Sequence, residues 1–192
     1  MKFLQSFFLG IFGALGALFL EIFFLVFLSL LFPNTQDITA EIDSIGPFFF
    51  LAILSEEFLK YILIYKSIAK SNIVLNSLLF GFGFSILEIS FIYWDYKNGY
   101  SMDPIGILGI LIVHISTAML MGYFVGKNRS NFIFSLFFGF IPAILIHTTY
   151  NIFKATDNLR QKEFAIVIIM LLIFMDIFLL IRSRNSHEIK AI

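Results

Sequence analysis

Glu56 and Glu57 stand side by side within the apolar run from Gly46 to Tyr65, and Lys60 follows one turn later. Glu88, His114, and the pair His147 and Asn151 lie in three further apolar segments. Ionisable side chains at membrane depth are costly to place and more often mark function than packing. Carboxylates and imidazoles are the groups of general acid–base chemistry, and imidazoles and carboxamides can donate hydrogen bonds to an oxyanion. The expectation is that these side chains converge on one hydrated pocket inside a helical bundle. The expectation for such a pocket is a reaction centre for acid–base chemistry.

Spacing sharpens this. On a helix Glu56 and Lys60 are i,i+4 and Glu57 and Lys60 are i,i+3, so either acid can reach the lysine. The two acids themselves point about 100° apart, so one can face a cavity while the other pairs sideways. Glu88 shares a helix face with Phe84 and has no basic neighbour in its own segment. It must therefore borrow a histidine, a lysine, a proton or a metal from another helix. Thr117 lies one turn beyond His114. His147 and Asn151, again i,i+4, present an imidazole and a carboxamide from consecutive turns to one point. Taken singly, each group also fits a plain interhelical hydrogen bond or ion pair. That reading gives the second glutamate no purpose.

The elements that must position these groups are membrane helices. Of 192 residues 59% are hydrophobic and 14% charged, against roughly 25% charged in ordinary soluble domains. A span needs about 20 apolar residues. Six segments qualify, at 3–32, 46–68, 73–94, 105–126, 132–153 and 164–181. The expected fold is all-α: one integral membrane domain over residues 1–192, a bundle of six transmembrane helices. Lys2, Lys66 and Lys70, Lys127 and Arg129, and Arg182 and Arg184 fall on one side of such a bundle, and the loop from Pro33 to Ser44 on the other side is acidic. Positive charge marks the cytoplasmic side, so both termini are expected there. Gly10, Gly13, Ala14, Gly16 and Ala17 in the first span, and Gly81 and Gly83 in the third, have the spacing of close helix contacts.

Depth agrees with convergence. Glu56 and His114 lie roughly ten residues from the outer ends of their spans, about 15 Å, and Glu88 and His147 roughly six, about 9 Å. Glu21 in the first span and Asp176 in the sixth have no partner nearby in sequence and receive no role. The formal net charge of zero gives no basic field for nucleic acid, and the apolar spans make the lipid bilayer an expected partner. With no cysteine, disulfides, thiolate metal sites and a cysteine nucleophile are excluded. Ser85 lies in no Gly-x-Ser-x-Gly motif, and Asp176 is the single aspartate within a span, which disfavours serine and aspartyl chemistry.

In order along the chain, Glu56-Glu57-Phe58-Leu59-Lys60, Phe84-Ser85-Ile86-Leu87-Glu88, His114 and His147-Thr148-Thr149-Tyr150-Asn151 resemble the motifs of the PrsW family of intramembrane proteases. That family lies within the wider CAAX-protease and bacteriocin-processing superfamily. The resemblance runs from about Gly46 to Phe153. Lys60 and Glu88 stand where the CAAX branch has an arginine, one residue later, and a histidine, which favours the PrsW branch. What the resemblance implies is cleavage of a membrane-embedded or juxtamembrane peptide bond in a prokaryotic cell membrane, with a membrane-anchored protein as the expected partner. In that branch the substrate type is an anti-sigma factor cut on its extracytoplasmic side.

The mechanism expected from the residues makes Glu56 the general base, helped by Glu88 or His114. His147 and Asn151 donate to the oxyanion, and Glu57 with Lys60 orients the second helix. No cofactor is required. A zinc (Zn2+) version would use Glu88, His114 and His147 with one open position, although no His-Glu-x-x-His spacing is present. The alternative from another class is a proton- or cation-coupled transporter, since intramembrane Glu and His chains also relay protons. It predicts inverted repeats and broken helices. No such repeat is visible, and Pro142 is the one proline deep inside a span.

Overall fold

The computed structural model describes residues 2–31, 46–69, 71–97, 104–154 and 159–188, and every regular element among them is helical. The helices are α1 (Lys2–Leu31), α2 (Pro47–Ser67), α3 (Ile73–Lys97), α4 (Pro104–Lys127), α5 (Phe132–Lys154) and α6 (Leu159–Glu188). The acidic loop from Pro33 to Ser44 lies outside the described residues, as do Lys70 and most of the loops before α4 and α6.

Five helices are long and apolar enough to cross a membrane: α1, α4, α5, the Ile73–Trp94 part of α3 and the Lys162–Arg184 part of α6. The exception is α2, for a plain reason. Glu56, Glu57, Lys60 and Lys66 fall within its 21 residues and dilute its apolar run.

The chain packs around α4, which touches α3, α6, α5 and α2, while α1 lies against α3 and α2. Small residues set these contacts. On α1 the buried face is Ser6, Gly10, Gly13, Ala14 and Ala17, and the opposite face exposes Phe8, Phe12, Phe19, Phe23 and Phe27. A side chain at Gly10 would run into the Phe80 carbonyl of α3, and one at Gly83 into the Phe7 carbonyl of α1. Between α3 and α4 the decisive position is Gly81, where a methyl group would stand 2.5 Å from the His114 carbonyl oxygen and 2.8 Å from Ile115 Cα. Neither backbone can move without displacing a neighbour. Gly81→Val is therefore expected to separate α3 from α4 and lower the melting temperature, at a cost of about 1–3 kcal/mol. Gly16→Ala, whose added carbon would meet only Leu59 at 3.5 Å, is the control and should be neutral. Thermal unfolding in detergent reads both.

Within α5 the residues Leu136–Phe140 form a π-helical turn just before Pro142. Proline has no N–H to donate, and its ring crowds the carbonyl four residues back, here that of Phe138. Widening the helix by one residue relieves the crowding. The start of α5 is tied to the end of α2. The Arg129 guanidinium donates to the Tyr65 carbonyl at 2.6 Å and to the Ile68 carbonyl at 3.3 Å. The Tyr65 hydroxyl donates back to the Arg129 carbonyl at 2.9 Å, and the hydroxyls of Tyr61 and Ser135 lie 2.7 Å apart. These bonds fix α2 against α5, and so fix which α2 side chains His147 meets.

Candidate active site

The polar side chains of the four central helices meet. From α2, Glu57 is fully buried, and its Oε1 accepts from Lys60 Nζ at 2.5 Å. Of the two acids within reach of the lysine, the one at i,i+3 takes it. The same Oε1 lies 2.7 Å from His147 Nδ1 of α5 and 3.5 Å from the Thr117 hydroxyl of α4. Lys60 Nζ also lies 2.5 Å from His114 Nδ1 and 4.6 Å from the centre of the Phe84 ring. His114 Nε2 makes a short hydrogen bond to Glu88 Oε2 of α3.

Donor and acceptor chemistry fixes the roles of this chain of contacts. A lysine ammonium only donates and a carboxylate only accepts. His114 therefore accepts from Lys60 at Nδ1 and donates from Nε2 to Glu88. Both of its nitrogens are engaged, so the ring links α2, α4 and α3 rather than standing ready as a free base. His147 donates Nδ1–H to Glu57, which leaves Nε2 for other chemistry. The two imidazole rings face each other edge-on with centres 5.1 Å apart.

Glu56 and Glu57 each have an Oε2 that is buried without a hydrogen-bond partner, but Glu57 is held through its Oε1 while Glu56 is bonded to no other member of the cluster among the described residues. Glu56 Oε2 lies 3.8 Å from His147 Nδ1 and 4.0 Å from His114 Nε2, too far for direct bonds. Polar separations beyond 3.5 Å raise the question of an intervening water. On its other side Glu56 borders a cavity of about 60 Å³ that is also lined by Glu88 and by Ala14, Ala17 and Glu21 of α1. That is room for a few water molecules.

Comparison of the chain with protein-family models, with curated proteins and with solved structures finds no match. The geometry and the motifs therefore carry the functional reading between them.

Glu56, Glu57, Lys60, Glu88, His114 and His147 form one contiguous cluster, as their spacing predicts. Asn151 stands apart. It is half-buried one turn beyond His147, and no hydrogen bond joins it to the cluster among the described residues. The neighbouring Tyr150 seats this part of α5 on α4, its ring in the space left by Gly109 and its hydroxyl 3.3 Å from the Gly106 carbonyl. Glu57 does more than orient α2, because it also holds His147. Asp176 is outside the cluster: its Oδ2 accepts from the Ser116 hydroxyl at 2.7 Å, joining α6 to α4. Glu21, which received no role from the sequence, borders the cavity together with Glu56 of α2 and Glu88 of α3.

The donor types also suit zinc. Glu56, Glu57, His114 and His147 each offer one ligand atom, all within 4.8 Å of one another, and Glu88 is spent on His114. A tetrahedral zinc with bonds of about 2.0–2.1 Å holds its ligand atoms roughly 3.3 Å apart. The separations of 3.8 and 4.0 Å from Glu56 Oε2 exceed that. Lys60 already places an ammonium against two of the four residues.

Proposed function

We propose that the chain is an intramembrane endopeptidase that hydrolyses a peptide bond of a membrane-embedded or juxtamembrane protein. The observation that carries this reading is the buried, unpartnered Oε2 of Glu56, 3.8 and 4.0 Å from the imidazoles of His147 and His114. In this reading a water sits between them. Glu56 takes its proton as the oxygen attacks the scissile carbonyl carbon. The oxyanion that forms receives hydrogen bonds from Asn151 and from a protonated His147, whose Nδ1–H is held by Glu57. Glu56 then returns the proton to the amide nitrogen, and the C–N bond breaks to give a carboxyl group and an amine. Glu88, His114 and Lys60 keep the assembly in register.

The motif resemblance supports a PrsW-type activity, with an anti-sigma factor cut on its extracytoplasmic face as the substrate type. The same reading takes α2 as a sixth span. At about 1.5 Å per residue its 21 residues reach roughly 30 Å, the thickness of the hydrocarbon core. Its charges are tolerable because they face the bundle. Six spans put both termini on the basic, cytoplasmic side, in a prokaryotic cell membrane.

The test is cleavage of a single-span substrate by the purified protein in liposomes, run beside an ion-flux assay. Cleavage lost in His147→Ala by about 10²–10³-fold and insensitive to chelators is the expected result. Proton or cation flux without cleavage overturns the reading in favour of a transporter. Chelator-sensitive cleavage replaces the water-only mechanism by the zinc one.

A further inference from the structure

Glu21 is the only acidic residue of α1, and no part of the mechanism above uses it. Ala14, Ala17 and Glu21 follow one another at three- and four-residue spacing, so they share a face. That face borders the cavity beside the cluster, where the two alanines leave room for the carboxyl group. The titratable groups around it are Glu56 of α2 and Glu88 of α3. Glu21 comes within hydrogen-bonding reach of Glu56.

Ionised carboxylates only accept, so a bond between two carboxyl groups requires a proton on one of them. Oε2 is the Glu56 oxygen turned toward the imidazoles, 3.8 Å from His147 Nδ1 and 4.0 Å from His114 Nε2, which leaves the other carboxyl oxygen for Glu21. Lys60, the other group that could have fixed Glu56, is committed to Glu57 and His114. A glutamate side chain left unheld samples several rotamers, and ordering it costs up to about 1.5–2 kcal/mol.

We propose that Glu21 is a positioning residue of this site: by sharing a proton with one carboxyl oxygen of Glu56, it turns the other, Oε2, toward the imidazoles of His114 and His147. The proposal rests on the hydrolase reading for its consequence but not for the contact itself. It makes α1 part of the reactive centre rather than a packing anchor.

Two variants test it. In Glu21→Gln the amide N–H can still donate to Glu56. In Glu21→Leu the volume is similar and the donor is gone. Glu21→Leu is expected to lower kcat by about 10- to 100-fold with KM within about twofold, since small misplacement of a reacting group costs that much. Glu21→Gln should stay within about threefold of wild type, and both should melt like the wild type. Wild-type kcat in Glu21→Leu, equal loss in both variants, or a loss carried in KM overturns the proposal. Infrared spectroscopy of the intact protein separates this outcome from failure of the hydrolase reading. If the wild type cleaves nothing, a protonated-carboxyl stretching band that weakens in Glu21→Gln still supports the shared proton. A band unchanged by that substitution overturns it.

Discussion

Glu56→Gln is expected to lower the cleavage rate by about 10²–10⁴-fold while leaving the protein as stable as the wild type, or more so. The two halves of this expectation come from the same atom. Oε2 lies 3.8 Å from His147 and 4.0 Å from His114, where it can accept a proton from a water between the imidazoles, and glutamine cannot accept it. The same oxygen makes no bond in the folded protein, so the substitution removes no native interaction there. Leaving a buried polar atom unsatisfied costs about 1–3 kcal/mol, a burden lighter for a neutral amide than for a carboxylate. A glutamate kept for structure behaves in the opposite way: its loss lowers the melting temperature. The measurement is kcat/KM on a single-span substrate together with thermal unfolding in detergent. Activity within tenfold of wild type, with or without a stability change, removes Glu56 from the role of base.

The parts of the site legible in the sequence were those set by helical periodicity and charge balance. A glutamate with no cation in its own segment had to find one elsewhere, and Glu88 finds His114. Two acids within reach of one lysine could not both keep it, and the pairing of Glu57 with Lys60 sets Glu56 free. What stayed hidden depends on how helices are rotated about their axes, which a single sequence leaves open. Nothing near Glu21 signals that α1 turns it toward the cavity. Nothing near Asp176 signals that α6 turns it to Ser116 instead of to the cluster. The double engagement of Glu57 Oε1, by Lys60 and by His147, is likewise a product of the fold. It requires α5 to be clamped to α2 through Arg129 and Tyr65, residues whose types suggest only a basic loop and an aromatic helix end.

Helix packing was legible for a related reason. Glycine at three- and four-residue spacing has few uses in a membrane helix other than close approach. Gly10, Gly81 and Gly83 all meet neighbouring backbone, as their spacing predicts, while the helices they join, α1 with α3 and α3 with α4, are set by the fold. The charges of α2 worked the other way. The glutamates and lysine that point to chemistry also set it apart from the five helices apolar enough to cross a membrane.

The second large effect concerns that helix. Lys60 is fully buried, and its ammonium is the sole cation in contact with Glu57 among the described residues other than a protonated His147. Removing one partner of a buried ion pair strands the other charge, at a cost of about 3–5 kcal/mol. Lys60→Met, which keeps the length and apolar stem of the side chain, is therefore expected to lower the detergent melting temperature by on the order of 10 °C. The double variant Glu57→Gln with Lys60→Met removes both charges and should recover most of that stability, because a buried pair replaced as a unit is often neutral. It should not recover activity. His114 loses the donor at Nδ1 that fixes its tautomer, and His147 loses the carboxylate that holds its ring. A refolded but inactive double variant separates the two functions of the pair, keeping α2 in the bundle and presetting the imidazoles for Glu56. If the double variant is as unstable as Lys60→Met alone, the pair acts through packing against Phe84 and Thr117 rather than through charge, and the electrostatic account of α2 fails.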